Sequence, residues 1–175
     1  MVENFSLTNL NRMTRDEFVK IIGPVFEHSP WIAEAAFAKK PFANVENLHR
    51  ALCDTVKNSC TEKQLALVRA HPDLVGRAAL TGTLTRESAG EQASAGLNQL
   101  SPEETARFQK NNAAYQEKFG FPFVICARLN KQEAILAGFE RRLKHSREQE
   151  IIAALAEIFK IAELRLNDLI VQGVA

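Results

Sequence analysis

His71 and Pro72 directly follow a run, Thr61 to Ala70, whose residues suit a helix, and that place gives the imidazole a chemical use. Proline disfavours the α conformation in the residue before it, so the helix is expected to end at or before His71. A histidine at a helix C-terminus lies where the macrodipole favours its protonated form, which makes it a proton donor near neutral pH. The same place also suits a capping or surface histidine. Farther on, Ser88, Glu91 and Gln92 stand at i, i+3 and i+4, one turn apart on a shared face. A hydroxyl, a carboxylate and a carboxamide in that spacing can converge on one small polar ligand, or can form a solvated helix face. Ala89, Ala93, Gly96, Leu97 and Leu100 make a separate apolar stripe, with the polar trio flanking the core side.

Two further features carry potential binding chemistry. After Gly120 the residues Phe121, Pro122, Phe123, Val124, Ile125, Cys126 and Ala127 form a continuous apolar run. No second strand-like segment is available to pair with it, so it reads either as a buried extended connection or as a helix start. In the extended case its amides lack a sheet partner and, because buried amides must be paired, they can be presented to a ligand. Arg141 and Arg142 offer planar guanidinium forks that read carboxylates or ureido carbonyls. Glu140 beside them supplies an ordinary surface ion pair instead.

The elements that must position these groups read as helices almost throughout. Thr14 with Glu17, Thr61 with Gln64 and Ser146 with Gln149 have capping-box spacing, and Ser29-Pro30 and Ser101-Pro102 put proline just after a capping residue. Thr85 is a good N-cap for the segment that carries Ser88. Ile151, Ala154, Leu155, Ile158, Ile161, Ala162, Leu166, Leu169 and Ile170 recur at three- and four-residue intervals, which predicts one long amphipathic helix. Phe18, Ile21, Ile22 and Val25 suit a short helix ended near Gly23 and Pro24, and Leu48, Leu52 and Val56 suit another after Asn44. The expectation is an all-α fold, a compact bundle of about eight helices forming a single domain over residues 1–175.

Composition mainly excludes. In 175 residues, 22 basic and 21 acidic side chains leave a net charge of +1, so no global field draws the chain to nucleic acid or to an anionic membrane. Cys53, Cys60 and Cys126 cannot form a complete disulfide set and lack CxxC spacing, so they read as ordinary thiols in a reducing compartment. The four histidines are too scattered for a HExxH-type site, and no metal ligand set is expected. The start of the chain lacks a signal-peptide h-region and no apolar run is long enough to span a bilayer, so the expected location is cytoplasmic.

Taken in order, HPDLVG (71–76), LTRESAGEQASAGL (84–97), YQEKFGFPFVICAR (115–128), RL (142–143) and RLNDL (165–169) make a more specific pattern than any one of them alone. This set resembles the OHCU decarboxylase family, 2-oxo-4-hydroxy-4-carboxy-5-ureidoimidazoline decarboxylase, which forms (S)-allantoin from an intermediate of urate breakdown. The resemblance runs from about Phe18 to Leu169. It implies a compact helical fold, a homodimer, a small-molecule substrate and no cofactor. By motif position it implies that His71 is the catalytic histidine, with Glu91 the acidic residue paired to it. Pro72, Ser88, Gln92, the stretch Phe123, Val124, Ile125, Cys126 and Ala127, and Arg142 fall at substrate-binding positions. His145 departs from the asparagine often found there. The substrate the resemblance implies carries its own electron sink, a ring imine beside the carboxylated carbon, so neither metal nor pyridoxal is required. The alternatives from other classes are a helical interaction module, which would tolerate loss of His71 and Glu91, and a metal-dependent hydrolase, which would need a ligand cluster.

Overall fold

The computed structural model describes residues 5–171, and the chain divides there into two compact units. The first takes the residues up to Ala70 together with those from Phe159 onward. It holds the two-residue strand β1 (Phe5–Ser6), then α1 (Leu7–Arg12), α2 (Arg15–Ile22), α3 (Trp31–Ala36), α4 (Val45–Lys57) and α5 (Thr61–Ala70). The Thr14–Glu17 box forms in full at the start of α2, and Asn44 Oδ1 accepts the Asn47 amide at 2.8 Å to start α4. Phe18, Ile22, Ile32, Leu48, Leu52 and Val56 are buried in this unit's core, with Phe18 packed against the rings of Phe37 and Phe42. Buried Arg165 pairs with buried Glu27 at 3.1 Å.

Two of the expected starts differ in detail. At α5 the carbonyl of Cys60 accepts the amides of Lys63 and Gln64, and the Gln64 carboxamide turns back to the carbonyls of Val56 and Lys57 that end α4. Orphan carbonyls at a helix end thus win the glutamine that the sequence suggests for a capping box. At α3 the helix begins on Trp31, after Pro30, with no side-chain cap from Ser29.

The second unit is His71–Ile158. It holds α6 (Arg77–Leu80), α7 (Arg86–Ser94), α8 (Pro102–Phe119), α9 (Gln132–Arg142) and the first part of α10 (Arg147–Leu169). Ser101 and Glu104 form a capping box ahead of Pro102, and Gly120, at φ 75°, ends α8 in the left-handed conformation that glycine adopts without a Cβ penalty. Ser146 and Gln149 exchange the two capping bonds at the start of α10. Phe108, Tyr115, Phe119, Phe121, Phe123 and Phe139 form this unit's aromatic core, with Phe123 stacked on Phe139 at 3.9 Å between ring centroids. The apolar run is an extended connection: it passes without a strand partner into a single 3-10 turn at Ala127–Leu129.

Among the described residues there are ten α-helices, and the only strands are β1 and β2 (Ile170–Val171), paired in parallel. The all-α expectation therefore holds. The number exceeds about eight because α1 and α6 are too short to show an apolar period. No described helix is long and apolar enough to cross a membrane. Burial pushes the Cys53 thiol up to about 12, and it raises that of Cys126 as well, so neither is an activated thiolate.

Candidate active site

The second unit brings together three of the segments singled out in the sequence, beginning with the loop that carries His71. α5 ends at Ala70 and His71, 7% exposed, opens a turn in which Leu74, Val75 and Gly76 are also buried. Val75 has φ +54°, a left-handed conformation that is costly for a β-branched residue and persists only where its surroundings impose it. Those surroundings are side chains from two helices. Gln92 Oε1 accepts the Val75 amide at 3.0 Å, Gln92 Nε2 reaches the Asp73 carbonyl at 3.5 Å, and Asn112 Nδ2 donates to the Leu74 carbonyl at 2.7 Å. A Cβ on Gly76 would meet Asp73 Cβ at 2.5 Å, so the turn requires glycine there. Among the described residues, Asp73 Oδ1 and Asn112 Oδ1 are buried without a hydrogen-bond partner, and burial pushes the Asp73 carboxyl above its usual range.

α7 departs from the sequence expectation in a telling direction. Its side-chain cap forms as expected, Thr85 Oγ1 accepting the Ser88 amide at 3.3 Å. The buried residues of the helix are Ser88 and Gln92, with Glu91 half-buried, whereas Ala89, Gly90 and Ala93 are exposed. The amphipathic sense is thus inverted: the polar trio faces inward and the alanines face out. Burying a hydroxyl and a carboxamide in place of available methyl groups is unfavourable for packing alone, so the inward face has a use other than core filling.

The extended run lies beside that face. Its 3-10 turn packs against α7, and the negative charges of Glu91 and Glu157 both add to burial in raising the Cys126 thiol. Its backbone groups are apportioned among named partners. Arg142 Nη1 donates to the Val124 carbonyl at 2.6 Å, the Cys126 amide donates to Glu157 Oε2 at 2.9 Å, and the Cys126 carbonyl accepts from the Asn130 side chain at 2.9 Å. Among the described residues, the amides of Val124 and Ile125 have no protein acceptor, although both residues are buried. Buried amides are nearly always satisfied, so these two are the run's candidate ligand donors.

Arg142 is the remaining sequence candidate, and its guanidinium already has protein partners. Arg141 is exposed whereas Arg142 is 4% exposed, and the Arg142 fork is committed to the protein. Its Nε donates to both oxygens of Glu150, Nη2 reaches the Tyr115 hydroxyl at 3.4 Å and Nη1 holds the Val124 carbonyl. A buried guanidinium needs a buried counter-charge, and Glu150 satisfies it more completely than a transient anion would. Sequence reasoning passed over Glu150, Glu157, Tyr115 and Asn112. Burial marks Glu150, Tyr115 and Asn112, and the bond to the Cys126 amide marks the half-buried Glu157; an acidic residue in the first turn of a helix, as at Glu150, is otherwise commonplace. Among the described residues no three His, Cys, Asp or Glu side chains cluster as metal ligands.

Comparison with known proteins gives the relatives of the chain. Residues 11–167 match the family model described as OHCU decarboxylase. A 2-oxo-4-hydroxy-4-carboxy-5-ureidoimidazoline decarboxylase of Haloferax volcanii is 44% identical, over 95% of this chain and 97% of its own. One from Amia calva is 42% identical, over 94% of each. Among solved structures, (S)-allantoin synthase superposes with a TM-score of 0.74 at 28% identity, covering 95% of this chain and 54% of that longer one.

Proposed function

Because the chain belongs to the OHCU decarboxylase family, we propose that it converts 2-oxo-4-hydroxy-4-carboxy-5-ureidoimidazoline to (S)-allantoin and CO2 in urate breakdown, at the site in its second unit. The observation that carries the site assignment is the inward polar face of α7, bonded to the His71 loop through Gln92 and packed against the turn that follows the extended run.

The chemistry needs little beyond orientation and proton control. The C4–carboxylate bond breaks, its electron pair forms a C4=C5 double bond, and the C5=N imine electrons move onto the ring nitrogen, which takes a proton. The C4 hydroxyl then loses its proton to become the carbonyl while C5 gains one on a single face, which sets the (S) configuration. In this reading His71 supplies the proton and Glu91 holds the imidazole in place. Ser88 and Gln92 orient the ureido and ring groups, with Pro72 beside them. The amides of the 123–127 run stabilise charge on the ring, Val124 and Ile125 as donors. Gln92 does this with what its carboxamide has left after bonding the loop. Arg142 sits behind the run. A tight clamp on the departing carboxylate would stabilise the ground state more than the transition state, so its absence from that role costs nothing in rate. The same reading includes a cytoplasmic setting and a homodimer, for which sedimentation of the purified protein is the test.

The test is to generate the unstable substrate from urate and follow its decay, together with the circular dichroism of the allantoin formed, with and without protein. Acceleration with an (S) product is expected, and no acceleration by folded protein overturns the reading. His71→Ala should lower kcat by at least about 10²-fold, the loss expected when general acid–base catalysis is removed. Wild-type turnover in that variant would take His71 out of the mechanism.

A further inference from the structure

Glu150, in the first turn of α10, is 0% exposed, and an isolated carboxylate is very unfavourable at that depth. It is not isolated. Arg142 Nε donates to its two oxygens at 3.2 and 2.9 Å, the Tyr115 hydroxyl donates to Oε2, and His145 Nδ1 lies 2.6 Å from Oε1. Four contacts from three helical or helix-capping segments fix the carboxylate, and the carboxylate in turn fixes the plane of the guanidinium. That plane is also set by the ring of Phe123, whose centroid lies 4.5 Å from the Arg142 guanidinium carbon. With its orientation settled, the fork reaches outward through Nη1, which holds the Val124 carbonyl at 2.6 Å.

The consequence follows from peptide geometry. The Val124 carbonyl and the Ile125 N–H belong to one planar trans peptide, so they point in opposite directions. Drawing the carbonyl toward Arg142 therefore turns the Ile125 N–H away from the buried network. That amide has no protein acceptor among the described residues, while the next one along, Cys126, is already taken by Glu157. We infer that Arg142, held by Glu150 and Tyr115, is a positioning residue that aims the Ile125 amide at the substrate ring as a fixed donor for the charge that develops there. This rests on the decarboxylase reading and extends it to side chains that do not touch the substrate. Such a donor needs to be rigid before the reaction begins, because its value lies in not having to reorganise as charge appears.

Kinetics of wild type, Arg142→Lys and Tyr115→Phe on freshly generated substrate test the inference, with thermal melts to confirm folding and the 15N-amide resonance of Ile125 followed during titration with (S)-allantoin. Lysine keeps the charge opposite Glu150 but lacks the planar fork that bonds Glu150 and the Val124 carbonyl together. The expected result for Arg142→Lys is a fall in kcat of about 10²-fold with KM within about threefold of wild type, as for loss of one preorganised donor. The Ile125 amide should shift on titration in wild type and not in the variant. Tyr115→Phe removes one hydroxyl, leaves the packing in place and should lower kcat in the same sense by a smaller factor. A folded Arg142→Lys with wild-type kcat overturns the inference, and so does a rise in KM at constant kcat, which would mean that Arg142 contacts the bound substrate. If Arg142→Lys does not fold, wild-type kcat in folded Tyr115→Phe overturns it instead. An inactive wild type overturns the decarboxylase reading and this inference with it; an active wild type with unaffected variants overturns the inference alone.

Discussion

Asp73 shows how a single residue in the His71 loop gives up stability for position. Its Oδ1 is buried with no partner, and burial raises its carboxyl pKa above the unfolded value. The folded state therefore binds that proton more tightly than the unfolded chain does. Its contribution to stability is fully present below the unfolded pKa and is lost as pH rises through the folded one. Asp73→Asn removes the buried charge while keeping the shape. It should melt higher than wild type at pH 7, and the difference should shrink toward zero at about pH 3, where both states of the wild type are protonated. A variant that melts lower at pH 7 would show that the carboxylate gains more from its neighbours than it loses by burial. Gln92 illustrates the complementary case, since it commits one carboxamide to two backbone groups of the same strained turn and so makes φ +54° at Val75 tolerable.

At the scale of elements, most of the architecture is legible because helix ends are written in short-range chemistry. Thr14, Asn44, Thr85, Ser101 and Ser146 all act as caps where the sequence places them, and Pro72 correctly ends α5 before His71. What escapes is whatever depends on the partner element. The stripe of Ala89 and Ala93 is a sound apolar pattern, yet those residues are exposed, because which side of α7 faces inward is set by the His71 loop and the 3-10 turn packed against it. Likewise nothing in the spacing of Arg142 and Glu150 announces a buried pair that grips a carbonyl eighteen residues upstream. Gly138 on α9 is a third instance. An added Cβ would lie 3.3 Å from Phe123 Cζ and 3.6 Å from Ile125 Cδ1, so the bare backbone makes room for the extended run. Gly138→Ala gains about 1 kcal/mol of helix propensity, which offsets the crowding and should leave the melting temperature within about 5 °C of wild type. The displaced run should nevertheless lower kcat by about tenfold, because small misplacements of donors slow the reaction sharply. Unchanged turnover would show that the run yields without moving its amides.

Charge is the property that only the whole molecule has, and here it bears on how the substrate is captured. The chain has 22 basic and 21 acidic side chains, and in the second unit the most deeply buried cation, Arg142, is neutralised by Glu150 rather than left to attract an anion. With a net charge of only +1 no global field draws in an anionic substrate, and the proposed site leaves its recognition to hydrogen bonds from backbone amides and from Ser88 and Gln92. Such bonds act at contact distance, well inside the Debye length at any ordinary salt concentration, and are hardly screened. In the proposed site, binding through neutral donors would also leave the departing carboxylate without a strong clamp, so the ground state would not be stabilised at the expense of the transition state. The expected outcome is that kcat/KM for the decarboxylation changes by less than about threefold between roughly 20 mM and roughly 0.5 M sodium chloride, measured with freshly generated substrate at constant pH. A steep fall with salt would place an unscreened cation on the path of the substrate, and with it a recognition step made by charge rather than by the fixed amides of the extended run.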